Sequence, residues 1–214
     1  MNPNKTALIA GSTGLVGKAL LTLLLDSPVY DKVIAVGRKA PSIAHPKLES
    51  LVVDFNAENS LQIPCHDVFC CLGTTIAVAG SQEKFREVDH DYPLALAQQT
   101  LATGASAFYM VSAMGADSGS KIFYNRVKGD TEKDIAGLGF QSTYFFRPSM
   151  LLGDRGAFRL GEKIGKVLMV GLDFLIPAKY KAVQAKQVAW CMLQEAQAPK
   201  TGVTTVENDA ILAA

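Results

Sequence analysis

The chain has little of what marks a nucleic-acid-binding, metal-binding or membrane-spanning protein, and each shortage removes a class of function. Lys and Arg total 21 against 20 Asp and Glu in 214 residues, a formal charge of +1. Without a basic excess, nucleic-acid binding is not expected. His45, His66 and His90 have no regular spacing, and Cys65, Cys70, Cys71 and Cys191 form no CxxC pair. No metal is therefore expected. The thiols read as reduced and mostly buried, the histidines as loop or surface residues. No apolar run reaches the roughly 18 residues of a membrane span. The nearest, Ala19 to Leu25, lies between Lys18 and Asp26. The first residues also lack a long apolar core ending in a small-residue cleavage site, so a cytoplasmic protein is expected.

What is present is a globular composition, 49% hydrophobic and 19% charged, in a length that suits one domain with a modest appendage. Strand-like runs at Thr6–Ala10, Lys32–Val36, Leu51–Val53, Val68–Leu72, Phe108–Ser112 and Thr143–Phe146 alternate with helical stretches at Leu15–Leu25, Glu83–Ala102 and Ile122–Ile135. This alternation predicts an α/β fold, a doubly wound and mainly parallel sheet covered on both faces. Residues 1–150 form the expected nucleotide-binding unit. Residues 151–214 read as a small substrate or lid segment completing the same domain: a helical lid, a helix near Gln184–Glu195 and a last edge strand at Gly202–Val206.

The run ALIAGSTGLVGKALL sets Gly11, Gly14 and Gly17 between the first strand and the first helix, with Ser12, Thr13, Leu15 and Val16 between them. Such a turn serves a tight exit, a close backbone approach to a pyrophosphate and a close helix packing. The helix start supplies free N–H groups and a positive dipole end. The alternative is a plain tight turn. After the second strand, VIAVGRKAP carries Arg38 and Lys39 where an NAD site wants an acid. A guanidinium there suits a 2′-phosphate and so NADP(H); a solvated surface pair is the alternative. Asp54 and Phe55 end the third strand. They read either as an adenine contact or as turn residues.

Tyr124 and Lys128 stand four apart in FYNRVKG, on one helix face, with Ser112 twelve residues before Tyr124. A phenol titrates near 10, far from neutrality. A unit charge at about 4 Å is worth about 4 kcal/mol at an effective dielectric of about 20, enough to bring the phenol near 7 if the charge acts undiminished. Tyr124 would then protonate an oxygen as hydride reaches its carbon, and Ser112 would hold that oxygen by a hydrogen bond.

GxxGxxG at 11–17, VIAVGRK (33–39), VVDF (52–55), FCCLGTT (69–75), VDHDY (88–92), YNRVKG (124–129) and FRPSMLLGDR (146–155) together resemble the atypical branch of the short-chain dehydrogenase/reductase superfamily. The resemblance spans about residues 5–155. It implies a Rossmann fold, NADPH in a cleft at the strands' carboxyl ends, and the triad Ser112, Tyr124 and Lys128. It further implies that Leu72, Gly73 and Thr74 line the cofactor and that Arg147, Pro148 and the backbone after them border the nicotinamide. The superfamily often places an Asn within a proton relay where this chain has Asp89.

The expected function is NADP(H)-dependent hydride transfer to or from a small-molecule carbonyl or alcohol. The alternative is a non-enzymatic NADPH-sensing module that binds a protein partner. A nucleotide-sugar epimerase would share the triad, but few residues follow Arg147 to build its substrate domain. Between 155 and 181, Arg155, Arg159, Lys163, Lys166, Lys179 and Lys181 face only Glu162 and Asp173, six bases against two acids, a local excess of +4. That stretch reads as a substrate lid, a membrane- or protein-docking surface, or a solvated helix over the core.

Overall fold

A computed structural model describes residues 5–57, 61–153 and 177–214. Its frame is a seven-stranded, all-parallel sheet. The strands are β1 (Lys5–Ala10), β2 (Tyr30–Gly37), β3 (Leu48–Val52), β4 (Asp67–Cys70), β5 (Ala107–Val111), β6 (Ser142–Arg147) and β9 (Gly202–Glu207), in the order β3-β2-β1-β4-β5-β6-β9. Leu151–Leu152 (β7) and Val183–Gln184 (β8) form a separate parallel pair.

β1 shows why the sheet forms. Ala7 and Ile9 face one core and Leu8 and Ala10 the other, all fully buried. Alternate residues are apolar on both faces, so the strand must be covered on both. The first core is closed by α1 (Leu15–Asp26), through Leu20 and Leu24, and by α6 (Ala185–Gln197), through Val188 and Met192. The second is closed by α4 (Tyr92–Ala102) and α5 (Phe123–Ala136), through Leu96 and Ile135. In the first core Phe69, Tyr109 and Tyr144, in register on β4, β5 and β6, stack with centroids 4.9 and 5.2 Å apart.

The expected helical stretch over 83–102 is present and continuous, with a change of winding inside it. It runs as α3 (Gln82–Arg86), a π-helical turn (Glu87–Asp91) and then α4. Pro93 is the physical reason. In an α-helix its N–H would serve the Asp89 carbonyl, and proline has none. Tyr92 N–H bonds back to Glu87 C=O, five residues away. The freed Asp89 carbonyl lies 3.0 Å from the Thr131 hydroxyl on α5, which shares its proton with Val127 C=O. The π turn also buries His90, 5% exposed, between Asp91 and Asp134. His90 is thus a core residue of this turn rather than a loop or surface residue.

Also unanticipated are α2 (Ile76–Ala79), the two strands of the β7–β8 pair, a 3₁₀ turn (Ala178–Tyr180) and α7 (Asn208–Ala213). β3 begins three residues earlier than expected because it is an edge strand whose Glu49 and Ser50 are exposed. The helical lid and the bases Arg155, Arg159, Lys163 and Lys166 lie outside the described residues. The ends of that stretch are held together. The Asn208 side chain, fully buried, accepts from Ser149 N–H and donates to the carbonyls of Ala178 and Lys181. Among the described residues no helix is long and apolar enough to cross a membrane.

Candidate functional site

Between β1 and β4 the strand order reverses, and a cleft of about 1500 Å³ opens at their carboxyl ends. This is where α/β sheets of this kind hold ligands. Thr13–Val16 form one wall, Cys71–Thr75 another, and Val111, Ser112, Tyr124, Lys128 and Asp89 a third. Ser149, Leu151–Gly153 and Gln184–Gln187 close the far side.

The glycine turn is built as a cradle. Gly11 has φ +83°, and a Cβ on it would lie 2.5 Å from the Cys71 carbonyl oxygen. A Cβ on Gly17 would lie 2.1 Å from the Gly11 carbonyl oxygen. The two glycines and buried Ser12 stand behind the wall and draw α1 tight against the end of β1. Gly14 caps α1 with no side-chain cap bond and no acid in the first turn. The helix therefore presents its unpaired N–H groups and positive end to the cleft.

α5 brings Tyr124, Lys128 and Glu132 to one face at successive intervals of four. Tyr124 lines the cleft and packs its ring 5.4 Å from that of fully buried Phe85. Lys128 is buried, with Nζ 2.7 Å from Asp89 Oδ1; Asp89 Oδ2 accepts from Thr74 N–H at 2.8 Å. Burial by itself lowers the Lys128 pKa, but the carboxylate of Asp89 beside it prevails and holds the ammonium above the ordinary lysine range. The positive charge expected to bear on Tyr124 is therefore shared with Asp89 and does not act undiminished.

Ser112 follows β5 and is 5% exposed. Its hydroxyl donates to Glu132 Oε1 at 2.5 Å. Arg147 grips the same carboxylate with two N–H groups, Nε to Oε1 at 3.0 Å and Nη2 to Oε2 at 2.5 Å, and reaches Glu207 with Nη1 at 3.1 Å.

Several expected cofactor residues do not line this cleft. Arg147 turns away to Glu132 and Glu207, and Pro148 is buried with its carbonyl accepting Met114 N–H. Only the backbone after them, from Ser149, borders the cleft. Phe55 is 6% exposed and stacks on Tyr92 at 5.1 Å, so its ring belongs to the second core. Asp54 holds a turn by accepting Asn56 N–H. Arg38 and Lys39 follow β2, exposed and without an ion pair among the described residues. Leu72, Gly73 and Thr74 do line the cleft.

Glu132 and Gln184–Gln187 escaped the sequence reading. Glu132 was findable, since it continues the four-residue spacing of Tyr124 and Lys128. The glutamines reach the cleft only through the tertiary docking of α6 on α1.

No protein-family model matches the chain. Protein HTATIP2 of Rattus norvegicus is 36% identical over 216 residues, covering 98% of this chain and 88% of that protein. Protein FMP52-1, mitochondrial, of Scheffersomyces stipitis is 36% identical over 155 residues, 70% of this chain and 69% of that one. The expectation of a cytoplasmic protein is overturned by this fungal relative, whose name places it in mitochondria. The lack of an apolar secretory core does not bear on mitochondria, whose transit segments are amphipathic and Arg-rich. Among solved structures, human epimerase family protein SDR39U1 with NADPH superposes with a TM-score of 0.65 at 16% identity, over 96% of this chain and 77% of that one. With 36% identity to HTATIP2 across nearly its whole length and a parallel Rossmann sheet, the chain belongs to the HTATIP2 family.

Proposed function

We propose that the cleft binds NADP(H) and that the chain is an oxidoreductase acting on a small carbonyl or alcohol. One observation carries this reading: the glycine cradle of α1 and the Tyr124–Lys128 face of α5 open on the same cleft. The cradle fits a dinucleotide. Its close backbone approaches leave no room for side chains at Gly11 and Gly17, and the N-terminus of α1 faces a position for phosphate. Arg38, exposed after β2 and in no ion pair among the described residues, supports a 2′-phosphate there. SDR39U1, with the same fold, is a protein described with NADPH.

The bound dinucleotide supplies or accepts hydride at the reacting carbon. Tyr124 moves the proton at the reacting oxygen. Lys128, anchored by Asp89, holds its charge beneath the site, and Leu72–Thr74 and Ser149–Gly153 shape the walls. We assign residues 1–150 to the dinucleotide unit and 151–214 to the segment completing it, because β9 pairs with β6 and α6 packs on α1.

NADPH and NADH titrations followed by fluorescence test the binding, and NADPH oxidation over a panel of aldehydes and ketones tests the chemistry. Tyr124→Phe is expected to keep the NADPH affinity and to lose about 10²–10⁴ in kcat, the contribution of a general acid. Arg38→Ala is expected to erase the NADPH-over-NADH preference. Oxidation that persists at full rate in Tyr124→Phe refutes the reading.

A further inference from the structure

The direction of one proton follows from the geometry around Ser112. A serine hydroxyl has a single proton to donate. Here Ser112 Oγ lies 2.5 Å from Glu132 Oε1, with Ser112 5% and Glu132 6% exposed. Which of the two oxygens carries the proton is decided by Arg147. The guanidinium is always charged and has only N–H groups to offer. It meets both carboxylate oxygens of Glu132 in the parallel two-bond arrangement that matches an ionised carboxylate. An ionised carboxylate accepts only, so the proton in the contact belongs to Ser112 and points away from the cleft.

We propose that Glu132 is a positioning residue that fixes Ser112 as a hydrogen-bond acceptor toward the cleft. Ser112 lines the cleft wall together with Tyr124. With its proton committed to Glu132, its Oγ offers lone pairs there. It recognises a donor, such as a substrate alcohol O–H, and has no proton to give a carbonyl oxygen. The hydrogen bond to a substrate oxygen expected of Ser112 is then one that the serine accepts. The cleft is thereby selective for the hydroxyl-bearing member of a carbonyl/alcohol pair or for a hydroxylated carbonyl compound. Arg147 belongs to the same device and not to the cofactor wall: it holds Glu132 ionised and is itself braced by Glu207. The ligand class rests on the proposed function; the position of the proton does not.

Neutron diffraction from the deuterium-exchanged full chain tests the proton directly and needs no cofactor. The expected result is nuclear density for the Ser112 deuteron on the line to Glu132 Oε1. Density pointing into the cleft overturns the proposal, whatever the NADPH assays show. The selectivity is read by cyclohexanol inhibition of the NADPH-bound protein and cyclohexanone inhibition of the NADP⁺-bound protein, two pairings that cannot turn over. Glu132→Leu removes the acceptor and frees the serine proton. It is expected to weaken cyclohexanol and tighten cyclohexanone by about tenfold in their ratio, the size of one hydrogen bond. In a Ser112→Ala background the same substitution should leave the ratio unchanged, since Glu132 then has nothing to act through. A ratio that shifts equally in both backgrounds, or in neither, overturns the positioning role, and a purely structural Glu132 would change stability alone.

Discussion

Lys128 Nζ stands 2.7 Å from Asp89 Oδ1, the lysine side chain 6% and the aspartate 1% exposed. This ion pair joins the π turn to α5 beneath the cleft. Through Thr74 N–H on the other carboxylate oxygen it also fixes the loop after β4. The residue that departs from the superfamily's usual Asn is thus the counter-charge of Lys128 on the cleft wall.

Asp89→Asn should expose the cost of that buried charge. Removing one partner of a buried pair costs about 3–5 kcal/mol, to be read as a lowered urea midpoint at pH 7. The pH dependence carries a sign. Lys128 has its pKa raised in the folded protein. Its contribution is complete below the unfolded lysine value of about 10.4 and is lost as pH rises through the higher folded value. In Asp89→Asn burial, the largest influence on Lys128, loses its main opponent and lowers the folded value, so the variant gains stability as pH rises through the window below about 10.4. The stability gap between the two proteins should narrow from pH 8 to 11. A constant gap would show that the pair is not the source.

Gly129→Ala should move the whole cleft-facing side of α5. A Cβ at Gly129 would lie 2.1 Å from Ser118 N and 2.2 Å from the Asp117 carbonyl carbon, both backbone atoms that cannot swing aside. α5 must then lift from the 117–118 loop and carry Tyr124 and Lys128 with it. We expect a loss of about 1–3 kcal/mol from overpacking, and chemical-shift changes at Tyr124 and Ser112 larger than those on α1. Unchanged shifts on α5 would show that the loop yields instead.

The cysteines should be inert in the native state. Burial pushes the Cys65 and Cys70 thiols up to about 12, Cys191 to about 11 and Cys71 well above the ordinary range. All four are free thiols, three of them buried and Cys71 partly so. Thiolate is the reactive form, so iodoacetamide at pH 8 should leave the folded protein unlabelled and modify all four cysteines in urea, as counted by mass. Rapid native labelling at Cys71, on the cleft wall, would mark a thiolate that the fold does not explain.

What could be read in advance was whatever depends on near neighbours in the chain. The glycine turn was legible because a strand exit, a helix start and their spacing are local. Tyr124 and Lys128 were legible because a helix places residues four apart on one face. Phe55 and Arg147 were misplaced because the same residue types suit a ligand or a protein partner. Phe55 found Tyr92, and Arg147 found Glu132 and Glu207. The helical stretch over 83–102 was legible, but not the π turn inside it, where the missing N–H of Pro93 widens the turn and sends the Asp89 carbonyl to Thr131.

The sequence by itself determined the parallel sheet, through strands apolar on both faces, and the positive helix end at a glycine turn, through the spacing of three residues. Only the tertiary structure decided the state of the site. Ser112 and Glu132 are twenty residues apart, and Asp89 and Lys128 lie on different elements. Hydrogen-bond direction and charge pairing depend on distances of about 3 Å between such groups. Those distances exist only once α5, the π turn and the ends of β5 and β6 have packed together, and they decide which atom holds a proton and which charge is neutralised.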